Sequence, residues 1–156
     1  MRNGTLRAGA GALIAGVVVA LSTGTASAAQ DCKPALSPAD EAALTTLINK
    51  QRSAEGVSKA SKDAGLRKAG RTKSLAMAKG ARFAHGAGLP IPPGRAGAQN
   101  IAMAPTTVQA FQAMLNSPPH RRNMLSRTYR YLGIGVARSC DGTLYFTVNL
   151  MSPPAS

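Results

Sequence analysis

The chain contains two histidines, His85 and His120, and the chemistry open to it turns on what surrounds them. His120 lies in the run Asn116-Ser117-Pro118-Pro119-His120-Arg121-Arg122-Asn123-Met124-Leu125, three residues after a serine and just past a Pro-Pro break. His85 follows Phe83-Ala84, and the polar pair Gln99-Asn100 precedes Ile101-Ala102 between the two imidazoles. Two imidazoles can hold a divalent metal, move a proton, or bond only to water and backbone. A serine three residues from a histidine is close enough for a nucleophile–base pair. Both active readings want a carboxylate, as a third metal ligand or to orient the imidazole. From Ala64 to Cys140 the chain has no Asp or Glu and twelve Lys or Arg. Ser117 also stands where a helix ends before Pro-Pro, a position serine takes for capping alone. Neutral polar groups lining a cleft are therefore the plainest reading. The positive surroundings disfavour imidazolium and predict that both histidines are neutral near pH 7.

The elements that must position these residues follow an export signal. Arg2 and Arg7 flank an apolar run from Ala8 to Leu21, and Ala26-Ser27-Ala28 offers small residues for cleavage. Residues 1–28 thus read as a secretory signal peptide, with the mature, extracellular chain starting at Ala29. The run is short of the roughly 20 residues a membrane span needs, and no later segment is apolar enough to supply one. What remains has the size of one domain with one core. Export makes the cysteine count informative, because oxidising compartments keep disulfides. Cys32 and Cys140 are the two cysteines, so they either pair with each other or stay as buried thiols.

Residues 29–36 read as a tether, followed by one domain over 37–152. Ser37-Pro38-Ala39-Asp40 opens a helix, with Pro38 at the first position and acids near its positive end. Leu44, Leu47 and Ile48 give that helix one buried face, ending near Gly56. Residues 57–65 form a basic connector. A second helix carries Leu66, Gly70, Lys73 and Met77 on one stripe, and Lys73 is the odd member. Its ammonium either snorkels to the sheet edge or points into a cleft. Glycines and prolines exclude regular structure over 86–98 and make Leu89 to Gly94 a loop above the cleft. Thr106-Thr107-Val108-Gln109 has capping-box spacing and starts a short helix with Phe111, Met114 and Leu115 inward, stopped by Pro118-Pro119. Tyr131 to Ala137 and Leu144 to Leu150 read as strands joined by a turn at Cys140-Asp141-Gly142. Helices followed by an antiparallel hairpin argue for the α+β class.

Taken in order, Leu47-Ile48-Asn49, Met77, His85, Asn100-Ile101-Ala102, Ser117, His120-Arg121 and Gly133-Ile134-Gly135-Val136 resemble the short bacterial, SCP-like form of the CAP superfamily (cysteine-rich secretory, antigen 5 and pathogenesis-related proteins). The resemblance runs from about Glu41 to Leu150. It implies a three-layer α-β-α sandwich with a C-terminal antiparallel hairpin. It also implies a central cleft lined by two histidines and two glutamates, with a divalent metal sometimes held between the imidazoles. His85 and His120 match the histidines. Gln99 stands where the first glutamate precedes Asn-Ile-Ala, and Ser117 stands three residues after Met114, at the second acidic position. Both acidic positions are neutral here. The resemblance implies a ligand-binding cleft of His85, Gln99, Asn100, Ser117 and His120, with His85 and His120 as weak metal ligands and no other cofactor. A small lipidic ligand is implied by the lipid and sterol binding associated with the family. The expectation is a secreted ligand- or envelope-binding accessory module with no assigned catalytic residue. The alternative is a weak metal-assisted or Ser/His hydrolase, protease-like, using His85, His120 and Ser117.

Charge offers a separate route to a partner. The whole chain carries +13, and Arg67, Lys68, Arg71, Lys79, Arg82, Arg121 and Arg122 cluster in two stretches. Such a surface attracts anionic envelope polymer or lipid headgroups, or serves only solubility. Nucleic acid is disfavoured by export and by the scarcity of stacking platforms, with three Tyr, three Phe and no Trp.

Overall fold

The computed structural model describes residues 32–86 and 89–155. The expected signal peptide and the start at Ala29 lie outside the described residues. In chain order the elements are β1 (Ala35–Leu36), α1 (Pro38–Ala54), β2 (Ser61–Lys62), α2 (Ala64–Ala78), β3 (Gly97–Ala104), α3 (Thr107–Asn116), α4 (Pro118–Leu125), β4 (Tyr131–Arg138) and β5 (Leu144–Met151).

The β4–β5 hairpin is the middle of the molecule. Gly142 takes φ +88° in its turn, a value that suits a residue without Cβ. The sheet runs β1-β4-β5-β3, antiparallel throughout, while β2 adds a two-residue parallel pairing to β4. Strand side chains alternate between faces, and here the alternation divides two kinds of packing. Leu132, Ile134 and Val136 of β4 join Phe146, Val148 and Leu150 of β5 in a core with Leu44, Ile48, Phe111, Met114 and Met124 from α1, α3 and α4. The intervening positions face α2, and two of them are Gly133 and Gly135. A Cβ on Gly133 would lie 2.2 Å from the Arg67 amide nitrogen, and one on Gly135 2.0 Å from the carbonyl carbon of Gly70. Backbone lies almost on backbone there. Ser74 Oγ seals the contact by donating to the Gly135 carbonyl at 2.8 Å. The layers are thus α1, α3 and α4 on one face of the sheet and α2 on the other, as the resemblance implies.

Two buried charges close gaps in this frame. The outer edge of β4 is covered by β1 at Ala137–Arg138 and by β2 at Tyr131–Leu132. Between them Glu41 is buried and receives both Nε and Nη2 of Arg71, at 2.8 and 2.7 Å. Arg52 is fully buried, with no carboxylate partner among the described residues. It donates to the carbonyls of Ser58, Met124, Ser126 and Tyr129 at 2.7–3.1 Å, which ties α1 to the end of α4 and the loop after it. Helix-end and loop carbonyls need such donors once water is excluded. Burial, and then the charge of Arg130, depress the Arg52 pKa.

Several local expectations are revised. The tether ends in strand β1 and the basic connector contains β2, each two residues long and too short to leave a periodic signal. Strand β3 starts inside the stretch read as irregular, because Asn100, Ile101 and Ala102 are all buried and erase the usual alternation. Pro118 and Pro119 end α3 and also begin α4, since the first helical positions need no N–H partner. Ser37 occupies the N-cap of α1 without a capping bond, its hydroxyl donating to Asp40 instead. Thr106 does cap, accepting from the Gln109 amide at 3.2 Å. Cys32 and Cys140 are joined, with Cα atoms 5.7 Å apart, which selects the disulfide over the free thiols. No described helix is long and apolar enough to cross a membrane.

Candidate functional site

The site is built around β3, which forms one edge of the sheet. Gln99 pairs in register with Asn149 of β5 and points toward the α2 layer; Asn100 points the other way. The Gln99 amide has both ends engaged. Its Nε2 donates to Asn149 Oδ1 at 3.0 Å, and its Oε1 accepts from the Gly86 amide at 3.2 Å and faces His85 Nδ1 at 3.3 Å. Asn149 in turn donates from Nδ2 to the Leu66 carbonyl at 2.9 Å.

A carbonyl can only accept, so the Leu66 oxygen fixes the direction of the whole chain. Asn149 must turn its amide nitrogen to Leu66 and its oxygen to Gln99. Gln99 must then offer its nitrogen to Asn149 and its oxygen to Gly86 and His85. The bond at His85 is consequently made by an Nδ1–H.

On the other side of β3, Asn100 is fully buried and donates to the backbone carbonyl of His120 at 2.9 Å, while accepting from Asn123 at 2.8 Å. Asn100 is therefore a brace for α4 instead of a cleft-lining group. His120 sits in the first turn of α4, half-buried, and its pKa is lowered first by burial and then by the charge of His85. The two histidines thus come from opposite layers and are close enough to feel one another. Ser117 links α3 to α4, and its carbonyl accepts from the Arg121 amide at 2.8 Å. Its hydroxyl makes no capping bond, and among the described residues no hydrogen bond joins it to His120.

A divalent metal fits this donor set poorly. Two imidazoles are present, but the third donor is an amide oxygen already accepting from Gly86 and facing His85. Among the described residues no three His, Cys, Asp or Glu side chains converge as metal ligands. Zinc sites with open positions ordinarily rest on three protein ligands.

Beside Gln99 a groove of about 530 Å³ opens between α2 and the Leu89-Pro90 loop. Lys73 lies in its wall, so the ammonium that breaks the apolar stripe belongs to the cleft side of α2. Of the basic cluster, Arg67, Lys68, Lys79, Arg82 and Arg122 are exposed. Arg71 is engaged by Glu41 and Arg121 by Glu55, the latter at 2.6 Å. Sequence reasoning missed Asn149, Asn123 and Gly86 as parts of the site. The one available signal was Asn149 itself, a polar residue inside the apolar run Thr147-Val148-Asn149-Leu150.

Known proteins share this fold. The profile of the cysteine-rich secretory protein family matches residues 45–150. Among solved structures, an outer surface protein of Borrelia burgdorferi superposes with a TM-score of 0.66 at 16% identity, over 74% of this chain and 93% of that one. An extracellular SCP-domain protein of Bacillus anthracis gives 0.62 at 22% identity, over 74% of this chain and 41% of the other. Venom allergen-like protein 4 of Schistosoma mansoni gives 0.62 at 15% identity, over 75% and 90%. No curated protein matches the sequence. These identities speak for the fold, and the profile match speaks for the lineage: the chain belongs to the cysteine-rich secretory protein (CAP) family.

Proposed function

We propose that this protein is a secreted binding module of the cell envelope, held by its basic surface and presenting a neutral cleft to a ligand. The observation that carries the reading is the Gln99 amide, locked between His85 and Asn149 where hydrolytic or metal chemistry would want a carboxylate. An amide is neither a general base nor an anionic ligand. Ser117 lacks an oriented imidazole, and His120 is held toward its neutral form. Attachment is supported by the exposed Arg67, Lys68, Lys79 and Arg82, which lie on or just after α2 with no acid in the helix itself. The paired imidazoles support one second reading, a weak metal-assisted hydrolase.

Attachment is tested with vesicles containing phosphatidylglycerol. Binding should weaken steeply with salt as the screening length falls from about 30 Å at 0.01 M to about 3 Å at 1 M. The triple variant Arg67→Glu, Lys79→Glu, Arg82→Glu should abolish it. Arg71 is left alone, because reversing it would set two carboxylates together at the edge of β4. Binding indifferent to both salt and these substitutions contradicts attachment. Peptide or ester turnover lost in His120→Ala would favour the hydrolase.

A further inference from the structure

We propose that the gap in the outer edge of β4, between β1 and β2, binds the C-terminal end of a short extended peptide, with one residue paired to Ile134 and the terminal carboxylate beside Arg67 and Lys62. Along a strand the backbone groups that face one edge belong to alternate residues. Here the Leu132 carbonyl accepts from the Asp63 amide and the Val136 carbonyl from the Ser37 amide, each at 2.9 Å. The Val136 amide faces Glu41 Oε1 at 3.5 Å. Ile134 lies midway, so its N–H and C=O face the same edge. Strand β1 pairs with Ala137 and Arg138, and β2 with Tyr131 and Leu132. Among the described residues no hydrogen bond from β1, β2 or a side chain reaches Ile134 on that side. Edge groups left open in this way can take up an added strand.

The pocket in front of Ile134 limits what can enter. It measures about 310 Å³ and lies between the N-terminal turns of α1 and α2, with Pro38, Ala42 and Thr45 on one wall and Ala64 and Arg67 on the other. That is the low end of the range for small-ligand sites. At about 3.4 Å per residue the bonded carbonyls of Leu132 and Val136 are about 14 Å apart, so two or three residues fill the opening. Ser37 and Asp63 stop a longer strand at either end. Charge sets the direction. Of the charged groups in the wall, Glu41 holds Arg71, and Asp63 accepts from the Leu66 amide as the cap of α2. Lys62 and Arg67 are exposed and make no ion pair among the described residues. The free positive charges therefore stand at the β2 end, where a charge-assisted bond holds a carboxylate and the guanidinium fork matches its two oxygens. The site is separate from the histidine cleft, since β3 forms the opposite edge of the sheet.

The test uses the mature, isotope-labelled protein with its disulfide intact, titrated with acetyl-alanyl-alanine and followed at the Ile134 amide by nuclear magnetic resonance. A saturable shift with half-saturation near about 1 mM is expected from two backbone bonds and one charge-assisted bond. The C-terminal amide of the same peptide should bind about 5-fold more weakly. So should acetyl-lactyl-alanine, in which an ester oxygen replaces the N–H that donates to the Ile134 carbonyl. Arg67→Met should weaken the free acid about 5-fold and leave the amide within about 2-fold. Ala42→Phe fills the pocket from the exposed side of α1 and should weaken all three peptides. Arg67→Met alters only an exposed side chain, so the proposal stays testable even where Ala42→Phe does not fold. No saturable shift up to about 10 mM, equal binding of acid and amide by the wild type, or equal loss of both in Arg67→Met would overturn the proposal. A shift confined to His85 and Gln99 would place the peptide in the cleft and overturn it as well.

Discussion

At the scale of residues, the cleft is governed by the direction of one hydrogen-bond chain. Leu66 carbonyl, Asn149, Gln99 and His85 form a sequence in which each amide orientation follows from the one before. The histidines and Gln99 were legible in the sequence, because their spacing and neighbours match a family pattern. Asn149 was not, since a polar residue within a strand does not announce a partner 83 residues away. Asn100 was legible as part of the region but not as the brace of α4, because strand alternation alone does not say which face holds the ligand. His120 makes a prediction about pH. Its folded pKa lies below the ordinary 6.5, with burial the larger cause. The folded state then binds fewer protons than the unfolded one between the two values, so stability rises with pH across that window. Stability from this group should be complete above about pH 6.5 and lost as pH falls through the lowered folded value. Denaturation midpoints from pH 5 to pH 8 should show that decline in the wild type and a flatter profile in His120→Gln. Equal profiles would mean that His120 titrates normally.

At the scale of elements, α2 is placed by the absence of side chains beneath it. Gly133, Gly135 and Gly70 let helix and sheet backbones touch. The hairpin and the three longer helices were visible as periodic or alternating patterns. Strand β3 was not, because its centre is buried on both faces, and α4 was hidden by the two prolines that begin it. The meaning of Gly-Ile-Gly is sharp enough to test. Gly135→Ala brings a methyl group to 2.0 Å from the Gly70 backbone, where no rotamer can relieve it. We expect a loss of about 3 kcal/mol in chemical denaturation, since the helix must lift from the sheet. Gly142→Ala meets nothing within 4 Å and strains only the turn, so it should cost clearly less. Equal costs at the two positions would contradict the backbone-contact account.

At the scale of the whole molecule, a three-layer domain is tied at its start by Cys32–Cys140, across 108 residues of sequence. The chain-entropy estimate for such a loop is about 4–5 kcal/mol, and the double variant Cys32→Ser, Cys140→Ser should lose an amount of that order. A loss below about 1 kcal/mol would show that β1 docks without help. The class and layering followed from the order of helices and hairpin together with the family resemblance. Which surfaces face outward required the fold, because Arg71 pairs with Glu41 while Lys73, two residues on, lines the groove. The central property of the molecule is a cleft without a carboxylate. Zinc titration at one pH, of wild type and Gln99→Glu, each alone and with His85→Ala or His120→Ala, tests that directly. The wild type should bind weakly, and Gln99→Glu about 10-fold more tightly or better, because a carboxylate supplies the missing anionic ligand. That gain should vanish when either histidine is removed. Tight zinc binding by the wild type, or no gain from the carboxylate, would contradict the account.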